Sequence, residues 1–211
     1  MLADMKAALF DLDGVIVDTA KYHYLAWKRL ADELRITFGP KDNERLKGVG
    51  RMACMDILLE LGGLSMPQAE KERQASRKNA WYVEYVSSMS EDEILPGAAD
   101  YLKTLRERGI AIALGSASKN APIILERLGI AGLFDAVIDG SKVSKSKPDP
   151  EVFLAGAAAL GIPASACVVF EDAAAGIEAA KRAGMYAVGI GSREDLPEAD
   201  MVVAGLYKLL T

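Results

Sequence analysis

Short runs of apolar residues recur along the chain, and each ends in glycine or polar residues. The runs are AALFDLDG at 7–14, AIALGSAS at 111–118, DAVIDG at 135–140, ACVVFED at 166–172 and YAVGIG at 186–191. Their length and the turn residues that bound them predict buried strands whose carboxyl ends open onto a site. MVVAG at 201–205 is a weaker candidate for a sixth strand.

Helical patterns separate these runs, and glycine, a frequent helix stop, closely follows each of them. The patterns are GAADYLKTLRER, KNAPIILERL, PEVFLAGAAAL and AAAGIEAAKRA. Strands that alternate with helices predict an α/β class protein with a Rossmann-like, doubly wound parallel sheet. In such sheets ligands bind beyond the carboxyl ends of the strands.

The alternation stops between about Asp18 and Glu93, where the sequence is helical and rich in long polar side chains. Turn signals at FGP, LGGLSMP and SSMSEDE divide this stretch into helices. We therefore expect an α/β core domain of residues 1–17 and 94–211, with an inserted α-helical cap domain of residues 18–93. Because the insert leaves after the first strand, we expect it to lie above the strand tips.

Composition and charge exclude several classes of partner. The net charge of −5 over 211 residues leaves no basic stripe that could neutralise a nucleic-acid backbone. No apolar stretch approaches the roughly 20 residues that span a bilayer, so we expect no membrane partner and a cytoplasmic location. Cys54 and Cys167 are far apart, and we interpret both as reduced, buried thiols. We expect a monomer.

A pair of carboxylates, Asp11 and Asp13, follows the first apolar run, and Gly14 allows a sharp exit from the strand. Two residues apart, their side chains lean to the same side of the sheet. One carboxylate could attack phosphorus while the other gives and takes the proton of a sugar hydroxyl. Acidic pairs at strand ends also bind metals without catalysis or simply end strands, so this pair alone does not establish a catalytic role.

A second acidic pair, Glu171 and Asp172, closes the run VVFED and should emerge at the same edge of the sheet as Asp11. Two carboxyl clusters in one crevice favour a divalent cation. Hard oxygen ligands beside a phosphate substrate favour Mg²⁺, which neutralises charge on the transferring group. A solvated surface pair is the alternative.

Two further segments carry groups that bind phosphate. SASKN follows the second strand, where the Ser116 hydroxyl, the backbone at Ala117 and Ser118, and the Asn120 side chain could hold phosphate oxygens. Lys147 precedes a proline in SKSKPDP, which stiffens the loop and could hold the ammonium toward the phosphate. Taken singly, each segment also fits an ordinary helix cap or a surface lysine.

Taken together, these motifs closely resemble those of the haloacid dehalogenase-like superfamily. The matching segments are DLDGVIVD, GSAS, SKPDP and FEDAAAGIEAAKRAG, in this order through nearly the whole chain. The resemblance implies that Asp11 is the nucleophile and Asp13 the general acid and base. It implies magnesium held by Asp11, the Asp13 carbonyl and Asp172, with Glu171 nearby. Ser116 and Lys147 would hold the transferring phosphoryl group.

Within that superfamily the insert resembles the cap of the β-phosphoglucomutase family, in TAKYHYLAWKRLA, LKGVGR and RKNAWYVEYV. These segments carry the candidate substrate-binding residues His23, Trp27, Lys47, Gly48, Arg51, Lys78 and Asn79. The resemblance implies that His23 couples cap closure to activation of Asp13 and that Arg51 holds the distal phosphate. Lys78 and Asn79 would contact the sugar phosphate. Gly50 departs from the expected serine and makes the Arg51 site the least secure of these transfers.

The resemblance implies an isomerase that uses Mg²⁺ and interconverts β-D-glucose 1-phosphate and glucose 6-phosphate. An aspartyl phosphate and β-glucose 1,6-bisphosphate, which is both intermediate and activator, would link the two sugar phosphates. One alternative is a sugar-phosphate phosphatase with the same core, in which water attacks the aspartyl phosphate. Another is a non-catalytic sugar-phosphate sensor, whose sequence mark would be loss of Asp11 or Asp13; both are present.

Overall fold

A computed structural model describes residues 2–46 and 49–210, which contain one six-stranded sheet. The strands are β1 (Ala7–Phe10), β2 (Ala111–Gly115), β3 (Ala136–Ile138), β4 (Cys167–Glu171), β5 (Tyr186–Ile190) and β6 (Met201–Val203). Neighbouring strands pair in parallel in the order β3-β2-β1-β4-β5-β6. The predicted doubly wound parallel sheet is confirmed, including its weakest strand.

Eight α-helices lie in the same described ranges. They are α1 (Ala20–Glu33), α2 (Pro40–Glu44), α3 (Arg51–Leu61), α4 (Gln68–Val86), α5 (Ala98–Glu107), α6 (Ala121–Arg127), α7 (Glu151–Leu160) and α8 (Ala174–Arg182). Helices α5 to α8 coincide with the four helical patterns between the strand runs. Helices α1 to α4 occupy the stretch where the alternation stops.

Both faces of the sheet are buried, which explains why its strands are almost continuously apolar. Leu9 faces a cluster that includes Phe153 of α7 and Ile177 of α8. The next residue, Phe10, points to the opposite face, where its ring stacks on Phe170 at 4.6 Å and meets Tyr101 of α5 edge-on at 6.3 Å. Burial of each such side chain contributes about 1.5–3 kcal/mol, so β1 and β4 are fixed where they end.

Residue contacts divide the chain into two compact units, Met1–Asp18 with Met89–Thr211, and Thr19–Ser88. We call them the sheet unit and the helical unit. The helical unit has its own core, in which Trp27 and Leu30 of α1 belong to one cluster with Met55 and Leu58 of α3. The sequence-based domain limits, which assign residues 18–93 to the inserted domain, remain a proposal.

No helix in the described part of the chain is long and apolar enough to cross a membrane. Cys54 and Cys167 are both buried free thiols.

Candidate active site

The strand order changes direction between β1 and β4, since connections from β1 lead to β2 and β3 on one side while β5 and β6 lie on the other. In open α/β sheets ligands bind at the carboxyl ends of strands at such a point. Phe10 pairs with Phe170, and the Asp11 N–H donates to the Phe170 carbonyl at 3.0 Å. Asp11, directly after β1, therefore lies beside Glu171, the last residue of β4.

Lys147 joins these two carboxylates, although it lies 136 residues from Asp11 in the sequence. Its Nζ donates to Asp11 Oδ1 at 2.5 Å and to Glu171 Oε1 at 2.7 Å, and it lies 4.8 Å from the centre of the Phe153 ring. The Lys147 and Asp11 side chains are each 12% exposed, and that of Glu171 is 2% exposed. Burial lowers the pKa of Lys147, but Asp11 and Glu171 outweigh it and raise the pKa above its usual value. Lys147 is therefore a fixed, protonated group and not a surface lysine.

The loop that carries Lys147 is anchored by Glu151, a residue that sequence reasoning missed. The Glu151 carboxylate accepts hydrogen bonds from the backbone N–H groups of Ser144 at 3.0 Å and Lys145 at 2.7 Å. These bonds lower the pKa of Glu151. Charge-assisted bonds of this kind hold a loop firmly. An acidic residue in the first turn of α7, a few residues after the lysine, was the signal available in the sequence.

Asp11, Glu171 and Asp172 form a cluster in which one carboxylate oxygen of each lies within 4.8 Å of the others. Burial, opposed by Lys147 and reinforced by Glu171 and Asp13, raises the pKa of Asp11. Asp172 is exposed by surface area, yet its carboxyl lies deep enough for burial, followed by the charges of Glu171 and Asp11, to raise its pKa to about 8. Crowded anionic oxygens are the donor set of a hard divalent cation, and this acidic cluster fits a metal site.

Gly14 makes room for this cluster. Its φ is +74°, and a Cβ at this position would lie 2.0 Å from Asp172 Oδ2. A side chain at position 14 would therefore be strained and would displace Asp172. Asp13, just before it, is near enough for its charge to raise the pKa values of both Asp11 and Asp172.

The predicted phosphate-binding serine lies at the same edge of the sheet. Phe10 pairs with Leu114, so Ser116, just after β2, follows the strand adjacent to Asp11. Ser116 is 2% exposed, and its Oγ accepts the Ser118 N–H at 3.1 Å. The Ser118 Oγ accepts the Asn120 N–H at 3.3 Å, and Asn120 directly precedes α6. The segment 116–120, with Ala117 exposed, is thus a compact turn held by its own hydroxyl groups.

In the helical unit, Lys78 of α4 is a buried cation, only 3% exposed. Its Nζ lies 3.0 Å from His23 Nδ1, 4.6 Å from the Trp27 ring centre and 5.0 Å from the Tyr82 ring centre. The His23 ring stacks on Tyr82 at 4.1 Å. A protonated lysine has no acceptor lone pair, so Nδ1 of His23 accepts in this contact. Three residues predicted from the cap motifs are therefore in direct contact.

Lys78 and the nearby Arg51 are two cations that repel one another and disfavour a charge on His23. Burial, followed by Lys78 and Arg51, lowers the pKa of His23 to about 3, which keeps the imidazole neutral. Burial also lowers the pKa of Lys78 to about 7, with Cys54 opposing and Arg51 reinforcing the shift. Burying a cation among aromatic rings costs free energy unless an anion compensates it. The arrangement is suited to an anionic ligand.

Arg51 and Asn79 form the second pair in the helical unit. The Arg51 Nη2 donates to Asn79 Oδ1 at 2.8 Å, and burial lowers the pKa of the half-buried Arg51. Gly50, just before α3, has a φ of −62°, and apart from its two chain neighbours no atom of the described residues lies within 4 Å of a Cβ built there. The missing serine therefore leaves open space and imposes no distortion. Two other candidates, Lys47 and Gly48, lie outside the described residues.

Comparison with known proteins confirms the resemblance read from the motifs. The chain is 45% identical over 201 residues to β-phosphoglucomutase of Bacillus subtilis, covering 94% of this chain and 89% of that protein. It is 34% identical to fructose-1-phosphate phosphatase of Escherichia coli, covering 86% and 94% of the two chains. The crystal structure of β-phosphoglucomutase from Clostridium difficile superposes with a TM-score of 0.91 at 43% identity, covering 97% and 93%.

The model of the haloacid dehalogenase-like hydrolases matches residues 5–184. This range contains the nucleophile strand, the turn at Ser116, the loop of Lys147 and the acidic end of β4, which are the parts that the sheet brings to one edge. With its fold and most of its length in agreement, the chain belongs to the haloacid dehalogenase-like hydrolase family.

Proposed function

We propose that the chain is a phosphomutase that interconverts β-D-glucose 1-phosphate and glucose 6-phosphate. Asp11 carries the phosphoryl group as an aspartyl phosphate, and β-glucose 1,6-bisphosphate is the intermediate. Two relatives of high identity named β-phosphoglucomutase, one a curated protein and one a solved structure, support this assignment. The sheet unit supplies the chemistry, and the helical unit supplies groups that bind an anion.

We assign Asp11 as the nucleophile because its position at the end of β1 is fixed twice. Its backbone N–H donates a hydrogen bond to the Phe170 carbonyl, and its carboxylate accepts one from Lys147. In the forward direction, the C6 hydroxyl of β-glucose 1-phosphate attacks the phosphorus of phospho-Asp11. The new O6–P bond forms, the Asp11 O–P bond breaks, and Asp13 takes the hydroxyl proton. After the bisphosphate reorients, Asp11 attacks the phosphate at C1, and Asp13 returns the proton to O1 as that bond breaks.

Mg²⁺ would be held by Asp11, the main-chain carbonyl of Asp13 and Asp172, with Glu171 close by. The ion supplies charge neutralisation for the transferring phosphoryl group, so that an anionic carboxylate can approach it. Lys147, which lies in the sheet unit, holds the phosphoryl group. The turn at Ser116, with Ala117, Ser118 and Asn120, supplies hydroxyl and N–H donors for the remaining oxygens.

The buried cation of the helical unit, Lys78, is the observation that favours a mutase over a phosphatase. A phosphatase needs one phosphate site, whereas a mutase must hold both phosphates of its intermediate in either orientation. Lys78, which is buried beside His23 and Trp27, and Arg51, which is paired with Asn79, are the candidates for the second set of phosphate-binding groups. Excluding water from phospho-Asp11 is the other requirement of a mutase.

The test is a coupled assay with Mg²⁺, β-glucose 1-phosphate and a trace of β-glucose 1,6-bisphosphate, in which glucose 6-phosphate and inorganic phosphate are followed together. We expect glucose 6-phosphate without release of phosphate. Release of phosphate at a comparable or greater rate would mean that water attacks phospho-Asp11 and that the chain is a sugar-phosphate phosphatase. The Asp11→Asn variant should have no activity, and retained turnover would contradict covalent catalysis.

A further inference from the structure

The carboxylate of Glu171 is fixed at both of its oxygen atoms. Oε1 accepts the Lys147 ammonium at 2.7 Å, and Oε2 accepts the backbone N–H of Ala173 at 2.8 Å, immediately before α8. With 2% of its side chain exposed, Glu171 has almost no contact with solvent. Its charge is therefore compensated by one ammonium and by the N-terminal turn of α8. Through the first of these contacts Glu171 holds Lys147.

Gly176, in the first turn of α8, makes this position possible. A Cβ at residue 176 would lie 1.8 Å from Glu171 Oε1, 2.0 Å from Cδ and 2.5 Å from Cγ. These contacts are with the outer part of the Glu171 side chain, which fills the space that a Cβ would take. Glycine inside a helix costs about 1 kcal/mol relative to alanine. The contact that Gly176 allows with the Glu171 carboxylate therefore offsets the lower stability of the helix.

Displacement of Glu171 would affect the nucleophile, Asp11, through the side chain of Lys147. Lys147 is held by two carboxylates, Asp11 on one side and Glu171 on the other, with the Phe153 ring against it. If Glu171 moves away, the ammonium keeps only Asp11 as an anionic partner among these contacts. It would then pair with Asp11 alone and leave the position between Glu171 and Asp11 from which it holds the transferring phosphoryl group.

We propose that Gly176 is a positioning residue for phosphoryl transfer: by leaving the space that the Glu171 carboxylate fills, it fixes Lys147 between Glu171 and Asp11. This inference deepens the proposed function and rests on it only for the choice of substrate. Gly176 touches neither substrate nor the reacting atoms, and it acts through Glu171 and Lys147.

The test is a double-mutant cycle of Gly176→Ala, Glu171→Ala and the variant with both substitutions. We expect Gly176→Ala to lower kcat roughly 10- to 100-fold, as expected for loss of a charge-assisted contact made in the transition state, with KM for β-glucose 1-phosphate nearly unchanged. In the Glu171→Ala background the added methyl group meets no carboxylate, so kcat should fall no further. Equal losses from Gly176→Ala in both backgrounds would overturn the proposal.

Gly156→Ala is the matched control, because it also adds a methyl group to a buried helical glycine. A Cβ at residue 156 would lie 2.8 Å from Leu9 Cδ2, an apolar and flexible atom. This variant should change the melting temperature and leave kcat per folded molecule unchanged. If Gly176→Ala does not fold, the variant with both substitutions should still fold, because the clash is removed. Failure of the double variant to fold would also overturn the proposal.

A readout that needs no sugar substrate separates this inference from the proposed function. In the crystal structure of Gly176→Ala, the distance from Lys147 Nζ to Glu171 Oε1 should exceed the hydrogen-bond limit of about 3.5 Å. A distance that stays near 2.7 Å would refute positioning through Glu171. If the unmodified protein shows no mutase activity but the distance lengthens in the variant, the substrate assignment fails and the positioning role stands.

Discussion

Replacing Lys78 by methionine should make the helical unit more stable at acidic pH while impairing ligand binding. Burial lowers the pKa of Lys78 from 10.5 to about 7. The folded state therefore releases this proton at a lower pH than the unfolded chain does. The resulting penalty is fully present below about pH 7 and is relieved as pH rises toward the unfolded value. Methionine keeps the packing against Trp27 and Tyr82 without the charge.

The magnitude follows from the size of the shift. At pH 6 the difference in pKa of about 3.5 units corresponds to a penalty of about 5 kcal/mol, at 1.36 kcal/mol per unit. At pH 9 only about 1.5 units remain, which corresponds to about 2 kcal/mol. From this lysine alone, the protein should gain about 3 kcal/mol of unfolding free energy between pH 6 and pH 9, and Lys78→Met should lack that gain.

Urea denaturation followed by tryptophan fluorescence measures this difference, because both tryptophans, Trp27 and Trp81, lie in the helical unit. Lys71→Met is the control: Lys71 is on the same helix, paired with Asp56 at 2.7 Å, and should follow the unmodified protein at every pH. The same pH dependence in Lys78→Met and in the unmodified protein would refute the reasoning. Inorganic phosphate at pH 6 should stabilise the unmodified protein more than Lys78→Met.

Three further substitutions test other parts of the site. Asp172→Asn should weaken Mg²⁺ binding at least about tenfold in isothermal titration calorimetry, because it removes one anionic oxygen from the acidic cluster; an unchanged affinity would exclude Asp172 as a ligand. Asp13→Asn should lower kcat by roughly 10²- to 10⁴-fold through loss of acid and base assistance, and an unaltered rate would contradict its assignment. Gly50→Ser should fold without strain, raise unfolding free energy by a few tenths of a kcal/mol as a better helix cap, and lower KM if a hydroxyl there helps Arg51 to hold phosphate; a higher KM would show that Gly50 is the favoured residue.

The parts of the site that follow strands were predictable from the sequence. Apolar runs that end in Asp11, Ser116 and Glu171 predict buried parallel strands, and parallel strands bring their carboxyl ends to one edge. The strand order was not needed for that conclusion. The positions of the four helices between the runs followed from glycine stops and helical spacing.

Contacts between distant segments could not be predicted in the same way. Nothing in SKSKPDP says that Lys147 meets Asp11, because that contact depends on the path of the whole loop. Likewise, His23 and Lys78 are 55 residues apart and meet only through the packing of α1 on α4. Gly176 did leave a signal, a glycine inside the helical pattern AAAGIEAAKRA. Such a residue indicates close packing, but the sequence does not name Glu171 as the neighbour.

The sheet unit and the helical unit each bury charge, of opposite sign in the two units. In the sheet unit, Asp11, Glu171 and Asp172 lie close together, and burial and their mutual charges raise the pKa values of Asp11 and Asp172, so a bound cation would stabilise their ionised forms. In the helical unit, burial lowers the pKa of Lys78, so a bound anion would stabilise its protonated form. A cation bound in the sheet unit, or an anion bound in the helical unit, would recover stability that the unit gives up when it is free. The affinity of each unit for its ligand therefore depends on charges that destabilise the free protein.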